Sequence, residues 1–258
     1  MIADSVTMLR RNLKHMVRYP SATGLILGMP LIFMLLFVYA FGGTLGSGLG
    51  GPAGGRTAYL DYVVPGIILL AVGTAAQMAA ISVAMDMTEG IIARFRTMAI
   101  SRSSVLTGHV VGSVIQIMLA VAVVVGVAVL MGYRPAADPL DWLALAALLL
   151  LVAFALTWLS VALGLVSDSV ETASNLPMFL MLMPFLGSGF VPTDSMAGGL
   201  RWFAEYQPFT PVTETLRALL GGEAVGADGA VAVAWSVGIA LLGYLWARRL
   251  YTHKAPAA

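Results

Sequence analysis

Polar side chains suited to specific binding stand close together in one short segment between two long apolar runs, MTEGIIARFRTMAISRSSVLTG at 87–108. The segment holds Glu89, Arg94, Arg96 and Arg102, whereas only 10% of the whole chain is charged. A guanidinium group makes fork-shaped hydrogen bonds with acidic groups. The segment is therefore suited to contact with a partner protein or with the membrane surface.

Catalytic and ion-coupling chemistry finds no support elsewhere in the sequence. Cysteine is absent, the three histidines are far apart, and no GxxxxGK[ST] motif for nucleotide binding occurs. Proton- or sodium-coupled carriers usually place Asp, Glu, His or Arg inside their spans, and the apolar runs of this chain contain none of these. We therefore expect no catalytic, metal or cofactor site, no nucleic-acid partner, and an energy source on another chain.

The composition is that of an integral membrane protein. Hydrophobic residues make up 59% of the chain, against about 45–50% in soluble domains. A helix needs roughly 20 apolar residues to cross a bilayer, and the fifth of the apolar stretches is short and interrupted by Pro177 and Pro184. The sequence predicts an all-α polytopic membrane protein, one domain over 1–258, with six transmembrane helices at about 22–41, 63–85, 110–131, 143–166, 176–191 and 230–247.

The distribution of Lys and Arg predicts the orientation. With both termini in the cytoplasm, ten of these residues lie in inside segments and four in outside segments, as the positive-inside rule requires. Before the first span, apolar and basic residues recur on opposite faces at helical spacing, which predicts an amphipathic helix on the cytoplasmic membrane surface. We expect a multi-pass protein of the cell membrane.

The loop between the second and third spans predicts a short cytoplasmic helix. Thr88 can cap its N-terminus and Glu89 complements the helix dipole. One apolar stripe follows, formed by Ile91, Ile92, Phe95 and Met98. From the residues alone, this helix is either a mechanical handle for a partner or an interfacial helix that lies on lipid.

Two segments resemble type-2 ABC exporter permeases. Residues 89–112, EGIIARFRTMAISRSSVLTGHVVG, resemble the family's cytoplasmic loop, whose pattern is roughly E-x-G-x-x-x-R-x-R-x-x-P-x-S. Residues 176–222, which begin LPMFLMLMPFLGSGFVP, resemble its fifth span and extracellular return segment. The resemblance covers nearly the whole chain and is strongest with the daunorubicin-resistance-type drug-export permeases. Ala99 and Gln207 depart from the proline and asparagine that are common there.

The resemblance implies that the loop is a coupling helix that docks on a cytoplasmic ABC ATPase subunit. Glu89, Arg94, Arg96 and Arg102 would then make the polar contacts. Phe95 would be the apolar anchor, and Ile91 and Ile92 would seat beside it. The resemblance also implies two permease copies, expected as a homodimer, with two ATPase copies.

The segment before the last span predicts two short helices. Thr210 and Pro211 favour a helix start, Gly221 favours its end, and Glu214 with Arg217 can pair at i, i+3. The aromatic residues at 202–206 fit an interfacial belt. The resemblance favours instead a pair of re-entrant half-length helices at the extracellular side.

Several uncharged residues in the spans have two interpretations. Gln77 and Gln116 suit interhelical hydrogen bonds or contact with a substrate. Met178, Met181 and Phe185 fill gaps in a bundle or line a pliable apolar route.

These observations predict a permease subunit, not itself an enzyme, of an ATP-driven exporter that works by alternating access. Its substrate would be a small hydrophobic or amphipathic compound, such as a drug, an antibiotic or a lipid-like molecule. The protein would also contact membrane lipid. The alternative is a non-transporting membrane anchor or sensor subunit of a complex.

Overall fold

The computed structural model describes residues 20–48, 55–88 and 102–253, and within these ranges the regular structure is helical. The first helix continues through a π-helical turn (Phe37–Phe41) into the second, and 3-10 turns lie at Met183–Leu186 and Thr193–Ser195. The predicted N-terminal amphipathic helix lies outside the described residues. The α-helices are α1 (Pro20–Leu36), α2 (Gly42–Gly48), α3 (Arg56–Thr88), α4 (Arg102–Leu130), α5 (Pro139–Val166), α6 (Val170–Asn175), α7 (Met178–Leu182), α8 (Gly198–Tyr206), α9 (Phe209–Gly221) and α10 (Ala227–His253).

Five of the six predicted spans are confirmed as helices that are long and apolar enough to cross a membrane. They are Ile26–Gly48, Arg56–Thr88, Thr107–Leu130, Pro139–Val166 and Ala227–Tyr251. The predicted span at 176–191 is not one such helix, because α7 is five residues long and a 3-10 turn follows it. Pro177 and Pro184 lack the backbone N–H that a continuous helix needs. The sequence predicted a short and interrupted span here, its short helices are apolar, and the count of six spans stays a prediction.

Helix α3 lies at the centre of the described bundle. In the most apolar 18-residue stretch of α3, 78% of the residues are buried, whereas 28% are buried in the corresponding stretches of the first and last spans. It packs against α1, α4, α5, α7 and α9. A helix that is apolar on every face must be surrounded in this way by protein or by lipid.

Local signals in the sequence define the ends of several helices. Asp138 caps α5 by accepting a hydrogen bond from Asp141 N (2.8 Å), while Asp141 accepts one from Asp138 N (3.0 Å). Helix α9 begins one residue before the predicted Thr210 and ends at the predicted Gly221. Gly222 follows in the left-handed region, with φ of 68°, where glycine is favoured because it has no Cβ.

Candidate functional site

The predicted coupling helix falls on residues whose structure is not described, so its contacts stay a prediction. Glu89, Ile91, Ile92, Arg94, Phe95 and Arg96 lie outside the described residues, and Arg102 is the first residue of α4. The helices that flank this loop are described. Their ends connect the loop to the bundle.

A buried polar pair joins the two ends of the loop. His109 Nε2 of α4 lies 3.0 Å from Asp86 Oδ2 of α3, and each residue is only 6% exposed. A buried polar group without a partner is costly, so this contact favours one arrangement of the two helix ends. The pair was not predicted from the sequence. The available signal was a carboxylate and an imidazole placed at the edges of two apolar runs.

Helix α3 lies against the broken segment 174–190 along a continuous contact that we call the seam. Gln77 Nε2 donates to Ser174 O (2.6 Å), and near the start of α3 the Tyr59 hydroxyl donates to Phe190 O (3.2 Å). Between these hydrogen bonds, Gly73 and Gly66 allow the two backbones to approach. A Cβ on Gly73 would lie 2.9 Å from Leu180 O, and one on Gly66 would lie 2.7 Å from the carbonyl carbon of Gly189 and closer still to its oxygen.

The seam runs antiparallel, since lower numbers on α3 meet higher numbers on the segment. Tyr59, Gly66 and Gly73 recur every seven residues, so they share one face of α3. Small residues at a helix interface permit this close packing in membranes. This seven-residue spacing of aromatic and glycine residues is visible in the sequence, but the seam was not predicted from it.

The predicted substrate-pathway residues occupy different positions relative to the seam. Gln77 is half-buried and makes the interhelical hydrogen bond already described. Met181 and Phe185 pack against the main hydrophobic core, whereas Met178 is 44% exposed on α7. Gln116 is half-buried on α4. Of these five residues, two make contacts at the seam. Gln77 donates to Ser174 O, and Met181 Cα is among the atoms closest to the position that a Cβ on Gly73 would occupy.

A group of phenylalanines connects the broken segment to the first span. The rings of Phe185 and Phe190 are stacked, with centroids 4.2 Å apart and planes 6° apart. Phe37 in the π-helical turn lies 4.9 Å from Phe190, and Phe33 meets Phe185 edge-on at 5.4 Å. The irregular turns of two chain segments therefore contact each other through aromatic rings, whose pairing adds stability beyond burial alone.

Arg217 of α9 fixes the second short helix to the seam. Its Nη2 donates to Ser188 O (2.8 Å) and Tyr62 O (3.3 Å), and its guanidinium lies 4.1 Å above the Tyr62 ring. The predicted pair with Glu214 is confirmed, at 2.5 Å. The Tyr62 hydroxyl also donates to Ser188 O (2.9 Å). Hydrogen bonds from a charged donor are stronger than neutral ones.

The turn between α8 and α9 is held by Gln207, which is 5% exposed. Its Oε1 accepts from Phe209 N (3.1 Å), and its Nε2 lies 3.2 Å from Thr210 Oγ1 and 3.4 Å from Met183 O. The Thr210 hydroxyl donates in turn to Ala204 O (2.5 Å). The side chain that departs from the common asparagine is thus fully engaged in holding this turn.

Two cavities of similar size lie beside the short helices. One, of about 450 Å³, is lined mainly by aromatic and aliphatic residues of α5, α7, α8, α9 and α10. The other, of about 420 Å³, is polar and includes Asp61, Arg134, Arg217 and Glu223. Burial raises the pKa of Tyr133, which lines the polar cavity, to about 12, with Asp61 adding to the rise and Arg217 opposing it. Its phenol is therefore neutral at physiological pH.

Metal chemistry has no visible basis in the described part of the chain. Among residues 20–48, 55–88 and 102–253, no group of three or more His, Cys, Asp or Glu side chains could hold a metal ion. The features that could act are apolar contacts, close backbone packing and hydrogen bonds between helices, which suit movement of helices more than bond-making chemistry.

Comparison with known proteins identifies relatives of this chain. The model of the ABC-2 type transporter family matches residues 5–220. The chain is 27% identical over 254 residues to the daunorubicin resistance ABC transporter permease protein DrrB1 of Streptomyces coeruleorubidus, which covers 98% of this chain and 87% of that protein. It is 22% identical over 198 residues to the probable doxorubicin resistance ABC transporter permease protein DrrC of Mycobacterium tuberculosis, which covers 74% of this chain and 71% of that protein. The resemblance stated from the sequence is confirmed.

Proposed function

Because the chain belongs to the ABC-2 type transporter family, we propose that it carries hydrophobic or amphipathic compounds out of the cell as the membrane subunit of an ATP-driven exporter. Proteins of this kind are membrane subunits and not enzymes, and ATP is hydrolysed on a separate subunit. The observation that carries the proposal is the relative named as a drug-resistance permease, which matches 98% of this chain. The apolar runs predicted from the sequence support it, because they contain no Asp, Glu, His, Lys or Arg for ion coupling, and Asp86 and His109 at their edges contact each other across two helices.

Alternating access would result from movement at the seam. Helix α3 has 33 residues, so it is about 50 Å long and reaches from the coupling loop to the tyrosines that hold the broken segment. The Asp86–His109 pair keeps α3 and α4 together where the loop begins and ends. A displacement of the loop would therefore move α3 as one body and change its contacts with 174–190.

The remaining architecture follows from the same proposal. The broken segment 176–191 would supply the sixth crossing, with backbone groups satisfied by neighbouring helices, and α8 with α9 would form the re-entrant pair on the extracellular side. Both termini would lie in the cytoplasm of the cell-membrane protein. Two copies of this chain, as a homodimer, would assemble with two ATPase subunits.

The first test measures how much ATPase remains bound to a tagged permease that carries Phe95→Ala and Arg94→Glu together. Burial of a phenylalanine is worth about 1.5–3 kcal/mol, so loss of the ring alone should weaken docking by about tenfold to a hundredfold. Charge reversal should add to the loss, and more strongly at low salt. The control carries the same two exchanges elsewhere, Phe154→Ala with Arg134→Glu, and should retain the ATPase.

Efflux measurements then separate the exporter from an anchor or sensor. Cells that express the permease and its ATPase should expel a fluorescent hydrophobic dye, and the double variant should lose this efflux in proportion to the lost ATPase. Normal ATPase retention by the double variant would contradict the coupling assignment. Dye transport by the permease without any ATPase, abolished by an uncoupler, would refute the proposed function.

A further inference from the structure

The polar cavity, of about 420 Å³, is formed where three parts of the chain meet. Its walls are the first two turns of α3, the link between α4 and α5, and the end of α9 with the residues that follow it. The link is bonded to α9, because Ala136 N donates to Leu220 O (2.9 Å), and a Cβ on Gly222 would lie 2.8 Å from Ala136 O. Backbone contacts therefore define the shape of the cavity, and its size is within the range of small-molecule sites, about 300–1,000 Å³.

Four polar side chains of the cavity have binding capacity that the protein does not use. The carboxylates of Asp61 and Glu223 line it, and neither takes part in a hydrogen bond or ion pair within the part of the chain that the structure describes. Tyr133 is only 4% exposed, and its hydroxyl likewise has no partner among the described residues. Arg134 uses Nη1 for Val129 O and Tyr133 O (both 3.0 Å), which leaves its Nε and Nη2 for another acceptor.

These groups make the polar cavity complementary to a molecule that carries both signs of charge. Arg217 also lines the cavity, but its charge is balanced by Glu214 and its Nη2 is bonded to two backbone carbonyls. The lining groups that remain are two carboxylates, which attract a cation, and one guanidinium and one phenol, which can donate to an anion. Burial raises the pKa of Tyr133 to about 12, so its phenol keeps the proton that it donates. An ion of one sign would be repelled by the lining charge of the same sign.

The polar cavity lies at the depth of lipid headgroups. Helix α3 is about 50 Å long and the hydrocarbon core is about 30 Å thick, so about 10 Å of a centred helix projects from the core at each end. Asp61 is the sixth residue of α3, about 8 Å from its start, and it belongs to this projecting part. On either side of the α4–α5 link along the chain, Leu130, Leu140 and Leu143 are between 68% and 86% exposed. Exposed apolar surface of this kind suits contact with lipid acyl chains.

We propose that the polar cavity binds the headgroup of an aminophospholipid such as phosphatidylethanolamine, with its ammonium at Asp61 and Glu223 and its phosphate at Arg134 and Tyr133. Charge-assisted hydrogen bonds of this kind are the strong ones. A lipid with a phosphate but no amine leaves the two carboxylates without a cation, and a trimethylated headgroup has no N–H to donate. The site does not depend on export, because it requires only that the long helices cross a membrane.

The test titrates the delipidated full-length permease in detergent and measures the affinity of the most tightly bound lipid by native mass spectrometry. Phosphatidylethanolamine should bind more tightly than phosphatidylglycerol and phosphatidylcholine with the same acyl chains, because these lipids differ only in the headgroup. Water-soluble glycerophosphoethanolamine should bind at least tenfold more weakly, since burial of even two CH₂ groups is worth about that much.

Variants test the two halves of the polar cavity. Asp61→Asn with Glu223→Gln removes both carboxylates at nearly constant side-chain size. Exposed ion pairs are weak, so the affinity for phosphatidylethanolamine should fall by about twofold to thirtyfold, and phosphatidylglycerol, no longer repelled, should bind more tightly than before. Tyr133→Phe removes only the phenol donor and should weaken the binding of both lipids by about twofold to tenfold.

The matched control is Asp194→Asn with Asp228→Asn, which removes two exposed carboxylates that do not line the polar cavity. It should leave every affinity unchanged. Because Asp61 and Glu223 bond to no other described side chain, their double variant should keep the wild-type thermal midpoint in the absence of lipid.

Three outcomes would overturn this inference. They are equal affinity of the wild-type chain for the three phospholipids, equal affinity for the water-soluble headgroup, and an unchanged lipid preference when both carboxylates are removed. Failure of the proposed function is recognised separately, because it is measured by ATPase retention and efflux, neither of which enters these titrations.

Discussion

Gly66→Ala should destabilise the permease, because Gly66 is where α3 and the broken segment approach most closely at the seam. The added Cβ would lie 2.7 Å from the carbonyl carbon of Gly189 and closer still to its oxygen, whereas ordinary contacts begin at 3.4 Å. The two backbones would have to separate by about 1 Å, and neither neighbour is a flexible side chain. Overpacking of this kind costs about 1–3 kcal/mol.

The separation would also strain the hydrogen bonds next to Gly66. Tyr62 donates to Ser188 O at 2.9 Å and Tyr59 donates to Phe190 O at 3.2 Å, and each such bond contributes about 0.5–1.5 kcal/mol. In the opposite direction, alanine is favoured over glycine in a helix by about 1 kcal/mol. We expect a net loss of about 1–3 kcal/mol.

The assay is the thermal midpoint of unfolding of the detergent-solubilised protein. For a chain of this size, 1 kcal/mol corresponds to about 2–4 °C, so Gly66→Ala should lower the midpoint by about 2–12 °C. Gly126→Ala is the matched control, since a Cβ there meets no atom within 4 Å, and it should leave the midpoint unchanged or raise it. Gly73→Ala, with a contact of 2.9 Å, should fall between the two. Equal midpoints for all three variants would refute the reasoning about the seam.

Three further predictions concern separate parts of the molecule. Arg217→Ala should lower the thermal midpoint, because loss of charged hydrogen bonds costs about 1.5–3 kcal/mol; an unchanged midpoint would show that α9 is held by other contacts. Asp86→Ala should cost about 1–3 kcal/mol by leaving buried His109 without this acceptor, and dye efflux should fall more than protein abundance; an equal fall in both would remove the pair from coupling. Cysteine at Asp138 should react with an impermeant maleimide in intact cells and cysteine at Ser169 should not, whereas the reverse pattern would invert the proposed orientation.

Some contacts of the candidate site could be predicted from the sequence, but its assembly could not. The pairing of Glu214 with Arg217 follows from their spacing on one helix, and the family follows from segments of sequence. The roles of Gln77 and Met178 required three-dimensional information. One bridges two helices, and the other is largely exposed. Neither hydropathy nor spacing distinguishes these positions.

Composition and helical period act locally, so they were enough to predict which segments are apolar and where five long helices lie. Packing in three dimensions placed α3 at the centre and brought Tyr59 to Phe190, which are 131 residues apart. It also joined Asp86 of α3 to His109 of α4. In a chain whose spans are apolar on every side, hydrophobicity does not specify which helix faces which. That choice is made by backbone contact at small residues and by a few buried hydrogen bonds, which exist only once the helices have packed.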